Sequence, residues 1–293
     1  MIWSRRAVLA GTAAALAACG RPDEPVAPPP EPSRAPAAAS PDPLAAAIAG
    51  PWRPAENRER DRWRRPAETL TFFGLRPGAT VVEFWPGAGW WTQILAPFLL
   101  STGGRYVAAQ VEAGPGGPAA NREIVERFRE RFANISVYGQ VELTSFGPAS
   151  GPVAAAGSAD LVLFMRNLHN WMAAGLAEKA FRDAFAALKP GGTLGVEQHR
   201  AAPGGVQDPL ASNGYVQELY VRGLAEEAGF RFDEASEVNA NPKDDRDHPF
   251  GVWTLPPVRL AAPRGRPENP GFDHGPYDAV GESDRMTLRF RKP

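Results

Sequence analysis

Cysteine is almost missing from this chain. Its 293 residues contain one, Cys19, so no intrachain disulfide can form and a zinc site built from cysteines is excluded. An excess of charge is missing too. Thirty-two Lys and Arg stand against 33 Asp and Glu, a formal −1, which removes the basic face through which nucleic-acid binders gain affinity. No internal repeat is visible. The apolar run near the start, Ala7 to Ala18, is too short for the ~20 residues of a permanent membrane span. What the chain does have is 43% hydrophobic residues, enough for a sizeable core, together with 30 Gly and 31 Pro whose distribution matters more than their number.

The single cysteine closes an N-terminal pattern. Ser4-Arg5-Arg6 precedes the apolar run, and Leu16-Ala17-Ala18-Cys19 follows it. The run has signal-peptide length. The paired arginines resemble a twin-arginine export signal. Leu-Ala-Ala-Cys resembles the lipobox of bacterial lipoproteins, in which the cysteine is acylated and tethers the protein without a spanning helix. An ordinary secretory signal with a chance cysteine is the plainer alternative. Residues 20–43 are rich in Pro and Ala, a composition of extended, semi-rigid chain. The expected organisation is therefore a signal over 1–19, a tether over 20–43 and one folded domain over 44–293.

Within that domain strands and helices alternate. Pro66 opens a helix that Gly74 closes, and "ATVVEFW" then reads as a buried strand. Trp91, Ile94, Leu95 and Phe98 fall at helical spacing. "GGRYVAAQVE", "NISVYGQVEL", "ADLVLFM" and "TLGVEQ" read as strands two to five, "RFDEASEV" as the sixth and "DRMTLRFRKP" as the last. "ADLVLFM" is apolar almost throughout, as at the centre of a parallel sheet. Helices are expected over "NREIVERFRERF", "GLAEKAFRDAFAALK" and "GYVQELYVRGLAEEAGF". Alternation of this kind implies an α/β, doubly wound, mostly parallel sheet with helices on both faces. Residues 239–283 form a long connection; loops of that length are usually functional or disordered, and a lid over the substrate side is expected.

Such sheets bind ligands beyond the carboxyl ends of their strands. At the end of the first strand stands "EFWPGAGWWT", residues 83–92. Two glycines sit among three tryptophans, which reads either as a turn needing positive φ or as a ligand-lined pocket. The stretch partly matches a dinucleotide fingerprint, but Thr92 fills the slot of a small residue. No acid follows at the ~20-residue distance that would hold a ribose.

Glu83, Gly87 and Gly89, followed by Lys189-Pro190-Gly191-Gly192 before strand five, resemble the class I S-adenosylmethionine-dependent methyltransferases over about residues 55–240 plus the last strand. "RPAETLTFFGLRPG", "WPGAGWWTQILAP" and "RNLHNW" resemble a bacterial branch of predicted methyltransferases whose substrates are unassigned. The resemblance implies a Rossmann-like seven-stranded sheet with an antiparallel last strand, and S-adenosylmethionine as cofactor. It implies that Gly87 and Gly89 admit the methionine part and that Glu83 orients its amino end. Trp85 replaces the first glycine of the family's triplet. Gln110 falls in the slot of the ribose-binding acid, with Glu112 two residues on. Gln140 falls in the slot of the adenine-binding acid, with Glu142 two on. Glutamine lacks the charge that strengthens such bonds, so either the nearby glutamates substitute or cofactor binding is weakened or lost.

Methyl transfer needs in-line positioning of a nucleophile, and a base only if that nucleophile arrives protonated. His169 and His199, each at a strand end, are the expected bases, and three protein ligands for a catalytic metal are not evident. Asn167, Asn170 and Trp171 are expected at the pocket rim, with Glu197 beside His199 and Tyr215 closing the substrate side. His248 and His274 read as solvated loop residues. The sequence thus points to an exported, lipid-anchored methyltransferase at the periplasmic face of a membrane, acting on a small molecule or envelope component. The alternative is a non-catalytic binding protein on the same fold. A nicotinamide oxidoreductase fits less well.

Overall fold

The computed structural model describes residues 42–114 and 118–293. The expected signal over 1–19, with its expected lipobox at Cys19, and nearly all of the expected tether lie outside the described residues. The Asp42 carboxylate caps the Leu44 amide at 3.0 Å, and Pro43 occupies the first helical turn, where a missing N–H costs nothing. Four short helices come first, α1 (Pro43–Ile48), α2 (Ala55–Arg58), α3 (Asp61–Arg64) and α4 (Pro66–Phe72). Strand β1 (Thr80–Phe84), α5 (Thr92–Thr102), β2 (Arg105–Val111) and α6 (Ala119–Arg131) follow. Next come α7 (Ile135–Tyr138), β3 (Val141–Phe146), β4 (Ala159–Met165), α8 (Leu168–Ala173), α9 (Ala177–Ala187) and β5 (Leu188–His199). The chain ends with α10 (Glu218–Glu227), β6 (Arg231–Ser236), β7 (Pro249–Val252), α11 (Gly275–Val280) and β8 (Arg285–Arg291).

Seven strands form one sheet in the order β3-β2-β1-β4-β5-β8-β6. All pairs are parallel except those of β8, which runs antiparallel to both β5 and β6. This is the expected doubly wound sheet. Side chains of β1 alternate between its two faces. Val82 and Phe84 join a core with Phe181 and Ala184 of α9 and Val221 of α10. Val81 joins a second core with Leu70 of α4 and Ile94 and Phe98 of α5. Strand order reverses between β1 and β4, so the crevice expected for a ligand opens beyond their carboxyl ends.

One expected element is different. "NISVYGQVEL" is not a continuous strand: Ile135–Tyr138 is a helical turn whose Asn134 side chain accepts from Ser136 N at 3.1 Å. Asparagine is a favoured cap because it satisfies an orphaned amide. Gly139 then leaves the turn at φ +64°, and β3 begins two residues later. Gln140 therefore lies at the amino end of β3, at the opposite edge of the sheet from Gly87.

Candidate active site

Beyond β1 the backbone turns through three positive φ values, Trp85 at +47°, Gly87 at +59° and Gly89 at +80°. Each has a separate cause. A Cβ on Gly89 would lie 2.3 Å from the Phe132 ring, so this glycine lets the loop pack against α6 and offers nothing to a ligand. A Cβ on Gly87 would meet only Trp85 O, at 4.0 Å, and Gly87 borders open space. Trp85 is a bulky residue in a region such residues avoid. It is held there on three sides: its N–H donates to Ala109 O (2.8 Å), its carbonyl accepts from Asn167 Nδ2 (2.8 Å), and its indole N–H donates to Phe146 O (2.8 Å).

Trp85 is a shared wall of two cavities at this end of the sheet. One, of about 460 Å³, is mainly apolar and runs along the ends of β2 and β3, past Phe146, Gly147 and Glu112. The other, of about 340 Å³, is the more polar of the two, with a mixed lining, and reaches from Gly87 across the end of β4 to His199 and Glu282. Both volumes fall within the range of small-molecule sites.

The polar cavity is built by residues far apart in sequence. Glu282 accepts from Arg60 Nε (2.7 Å), Arg64 Nε (3.1 Å), Arg166 Nη1 (3.3 Å) and Arg285 Nη1 (2.9 Å). Burial would raise its carboxyl, but these guanidiniums hold it below the usual range. Arg64 also lies over the Trp90 ring, 4.5 Å from its centroid, a cation–π contact. Trp90 and Trp91 border this cavity while remaining mostly buried. Of the expected bases, His169 and His199 do come together, with ring centroids 5.3 Å apart. Burial pushes His169 down to about 4, against the opposing contact with Gln198, and pushes His199 well below its ordinary value. His199 Nδ1 lies 2.5 Å from Ser283 Oγ. Both imidazoles are therefore neutral at physiological pH.

Other expected site residues are placed differently. Glu197 is fully buried beneath Arg285, 2.7 Å away, and does not border the cavity. Tyr215 is not free to close the substrate side: its hydroxyl donates to Asp244 at 3.0 Å, and burial with that carboxylate pushes the phenol up. Trp171 is fully buried among Phe84, Phe164 and Trp85 rather than at a rim. Asn167 staples the end of β4 to Trp85 O and so positions the loop; Asn170 in turn donates to Asn167 Oδ1 at 3.4 Å. Gln110 is 2% exposed and donates to Gly87 O at 3.3 Å. It fixes the glycine turn and borders neither cavity. Gln140 belongs to the other edge of the sheet, where Glu142 pairs with Arg105 at 2.7 Å. Glu83 lines the cavity while remaining buried, accepting from Tyr106 Oη at 2.5 Å, and burial raises it to about 7.

His248 is not solvated either. Its side chain is 3% exposed and its Nε2 lies 2.8 Å from Asp244 Oδ1. Asp244, Asp245 and His248 bring three ligand-type atoms together. Asp244 is already occupied by Tyr215, Arg246 N and Asp284 N. His274 packs on Phe272, with centroids 5.1 Å apart.

Sequence reasoning missed Arg60, Arg64, Arg166, Trp253, Glu282 and Ser283. The clearest signals were the basic run "RERDRWRR" and the acid-rich "GESDR" ahead of the last strand.

The residues present fit S-adenosylmethionine. Open backbone at Gly87 suits an amino-acid end. The half-buried Trp85 ring, backed by the buried Phe146, suits a nucleobase, and Glu112 at the apolar cavity is an acceptor for ribose hydroxyls.

No family model matches the sequence, and no curated protein matches it. Solved structures do match in fold. An S-adenosylmethionine-dependent methyltransferase from Aquifex aeolicus is 21% identical, covering 68% of this chain and 93% of its own, with a TM-score of 0.50. The [4+2]-cyclase SpnF is 18% identical over 86% of this chain and 92% of its own, with a TM-score of 0.55. The putative methyltransferase solved with the Haloferax volcanii Trm112 activator is 16% identical over 82% and 93%, with a TM-score of 0.50. The chain has the Rossmann-like fold of S-adenosylmethionine-dependent methyltransferases, a fold that SpnF carries under the name of a cyclase.

Proposed function

We propose that the protein is an S-adenosylmethionine-dependent methyltransferase acting on a small molecule. The observation that carries this reading is the pair of cavities meeting at Trp85, one polar and one apolar, beyond the carboxyl ends of β1 and β2. Trp85 would hold the base, Glu112 the ribose, and the Gly87 backbone the amino-acid end. The cofactor, when bound, supplies an electrophilic methyl group on a sulfonium. His169 and His199, kept neutral but made weak bases by burial, would accept a proton only from a nucleophile that arrives protonated and is itself readily ionised. The apolar segment of Val252, Trp253 and Pro256–Val258 limits water at the cavity mouth.

A second reading, a non-catalytic binding protein, is favoured by Gln110, which is turned inward to Gly87 and presents no acid to a ribose. Calorimetric titration with S-adenosylmethionine and its demethylated product separates the two: micromolar binding is expected, and no binding at millimolar ligand supports the second reading.

Export and lipid anchoring belong to the same proposal. Ser4-Arg5-Arg6, the apolar run and Leu16-Ala17-Ala18-Cys19 support them. A twin-arginine route carries folded proteins and so would bring along a cofactor made in the cytoplasm. The Cys19→Ala variant is expected to leave the membrane fraction; retention there contradicts the anchor.

A further inference from the structure

The polar cavity carries more positive charge than its own carboxylates neutralise. Arg60, Arg64, Arg166 and Arg285 converge on Glu282 and Glu197, leaving two guanidinium charges unmatched. Glu83 offsets this only in part, because burial holds its carboxyl near neutrality. The excess is specific in geometry as well. Arg64 is 2% exposed and its Nη1 has no acceptor, and neither do Arg60 Nη2 and Arg166 Nε, among the described residues. Buried cationic charge without partners is costly, and an anion bound beside these guanidiniums lowers that cost. All three arginines border the cavity.

The cofactor of the preceding proposal does not supply this anion. Its carboxylate is balanced by its own ammonium, and its sulfonium leaves it net positive, so loading it increases the imbalance. The missing negative charge must come from the other reactant. The same cavity is also lined by the apolar Val252, Trp253, Pro257 and Val258.

Resting on the methyltransferase reading for the identity of the site, we propose that the acceptor substrate is an organic carboxylate. Its anionic end meets Arg60, Arg64 and Arg166, and its apolar body lies against Trp253 and the Pro256–Val258 segment. Guanidinium groups suit this ligand because their planar N–H forks match a carboxylate.

The test titrates the full chain with benzoate and with neutral benzyl alcohol, each with and without S-adenosylhomocysteine. Benzoate is expected to bind at least tenfold more tightly than benzyl alcohol. Binding should persist with S-adenosylhomocysteine present and weaken at least tenfold in Arg166→Gln and Arg60→Gln. These two arginines are only partly buried, which limits the risk of misfolding, and an unchanged melting profile is the control. Equal binding of the alcohol, or undiminished benzoate binding in both variants, overturns the proposal. So does competition between benzoate and S-adenosylhomocysteine, because the arginines would then serve the cofactor's carboxylate. If benzoate binds as expected while S-adenosylhomocysteine does not bind at all, the anion site stands and the methyltransferase reading fails.

Discussion

The Trp85 indole N–H donates to the backbone carbonyl of Phe146 at 2.8 Å, tying the end of β1 to the end of β3 across the intervening β2. Trp85 adopts φ +47°, and strain of this kind persists only where the surroundings over-determine it. Its position between the two cavities gives the strain a use. Trp85→Ala should weaken S-adenosylhomocysteine binding by about tenfold to a hundredfold, the scale of one lost stacking contact of ~1–3 kcal/mol. Titration of the variant checks this, and unchanged affinity removes Trp85 from the nucleoside site.

The two glycines should separate cleanly. Gly89→Ala drives a methyl into the Phe132 ring at φ +80°, so it should destabilise the fold by a few kcal/mol through overpacking and backbone strain. Gly87→Ala meets open space and should cost only about 1 kcal/mol, while a bulky residue there should abolish cofactor binding. Chemical denaturation paired with titration distinguishes a packing glycine from a ligand-facing one.

Much of this arrangement was legible in the sequence. "ADLVLFM" reads as a central strand because both its faces are buried, and β4 is that strand. Gly87 beside a cavity was likewise readable from its place after β1. Two things were not. The β-branched "NISVY" reads as a strand, yet the Asn134 cap and the Gly139 break make it a helical turn, which moves Gln140 away from any ligand. The arginine cluster was hidden because Arg60 and Glu282, paired at 2.7 Å, are 222 residues apart. Local pattern carries no information about such a pairing.

Stability should depend on pH through two buried groups of opposite sign. His169 falls from an ordinary 6.5 to about 4. The unfolded chain therefore takes up more protons in that window, and the fold loses roughly 3 kcal/mol as pH drops from about 6.5 to 4. Glu83 is raised from 4.5 to about 7. There the folded chain holds the proton, so its contribution is present below pH 4.5 and is lost, by a similar amount, as pH rises through 7. Glu83→Gln should remove the second loss, making the variant relatively more stable at pH 8 than at pH 5. Melting temperatures of both proteins across pH 4 to 8 decide this, and parallel profiles contradict it.

Glu282 should be the most sensitive position of the cluster. Glu282→Gln leaves Arg60, Arg64, Arg166 and Arg285 without their shared carboxylate. Removing one partner of a buried ion pair costs about 3–5 kcal/mol, and denaturant titration should show a loss at least that large. A change under 1 kcal/mol would mean that solvent already neutralises the cluster.

A crystal structure with S-adenosylhomocysteine bound tests the central claim most directly. The base is expected against Trp85, the ribose near Glu112, and the amino-acid end over Gly87. A ligand that avoids the ends of β1 and β2, or crystals that remain empty at millimolar concentration, would contradict the account.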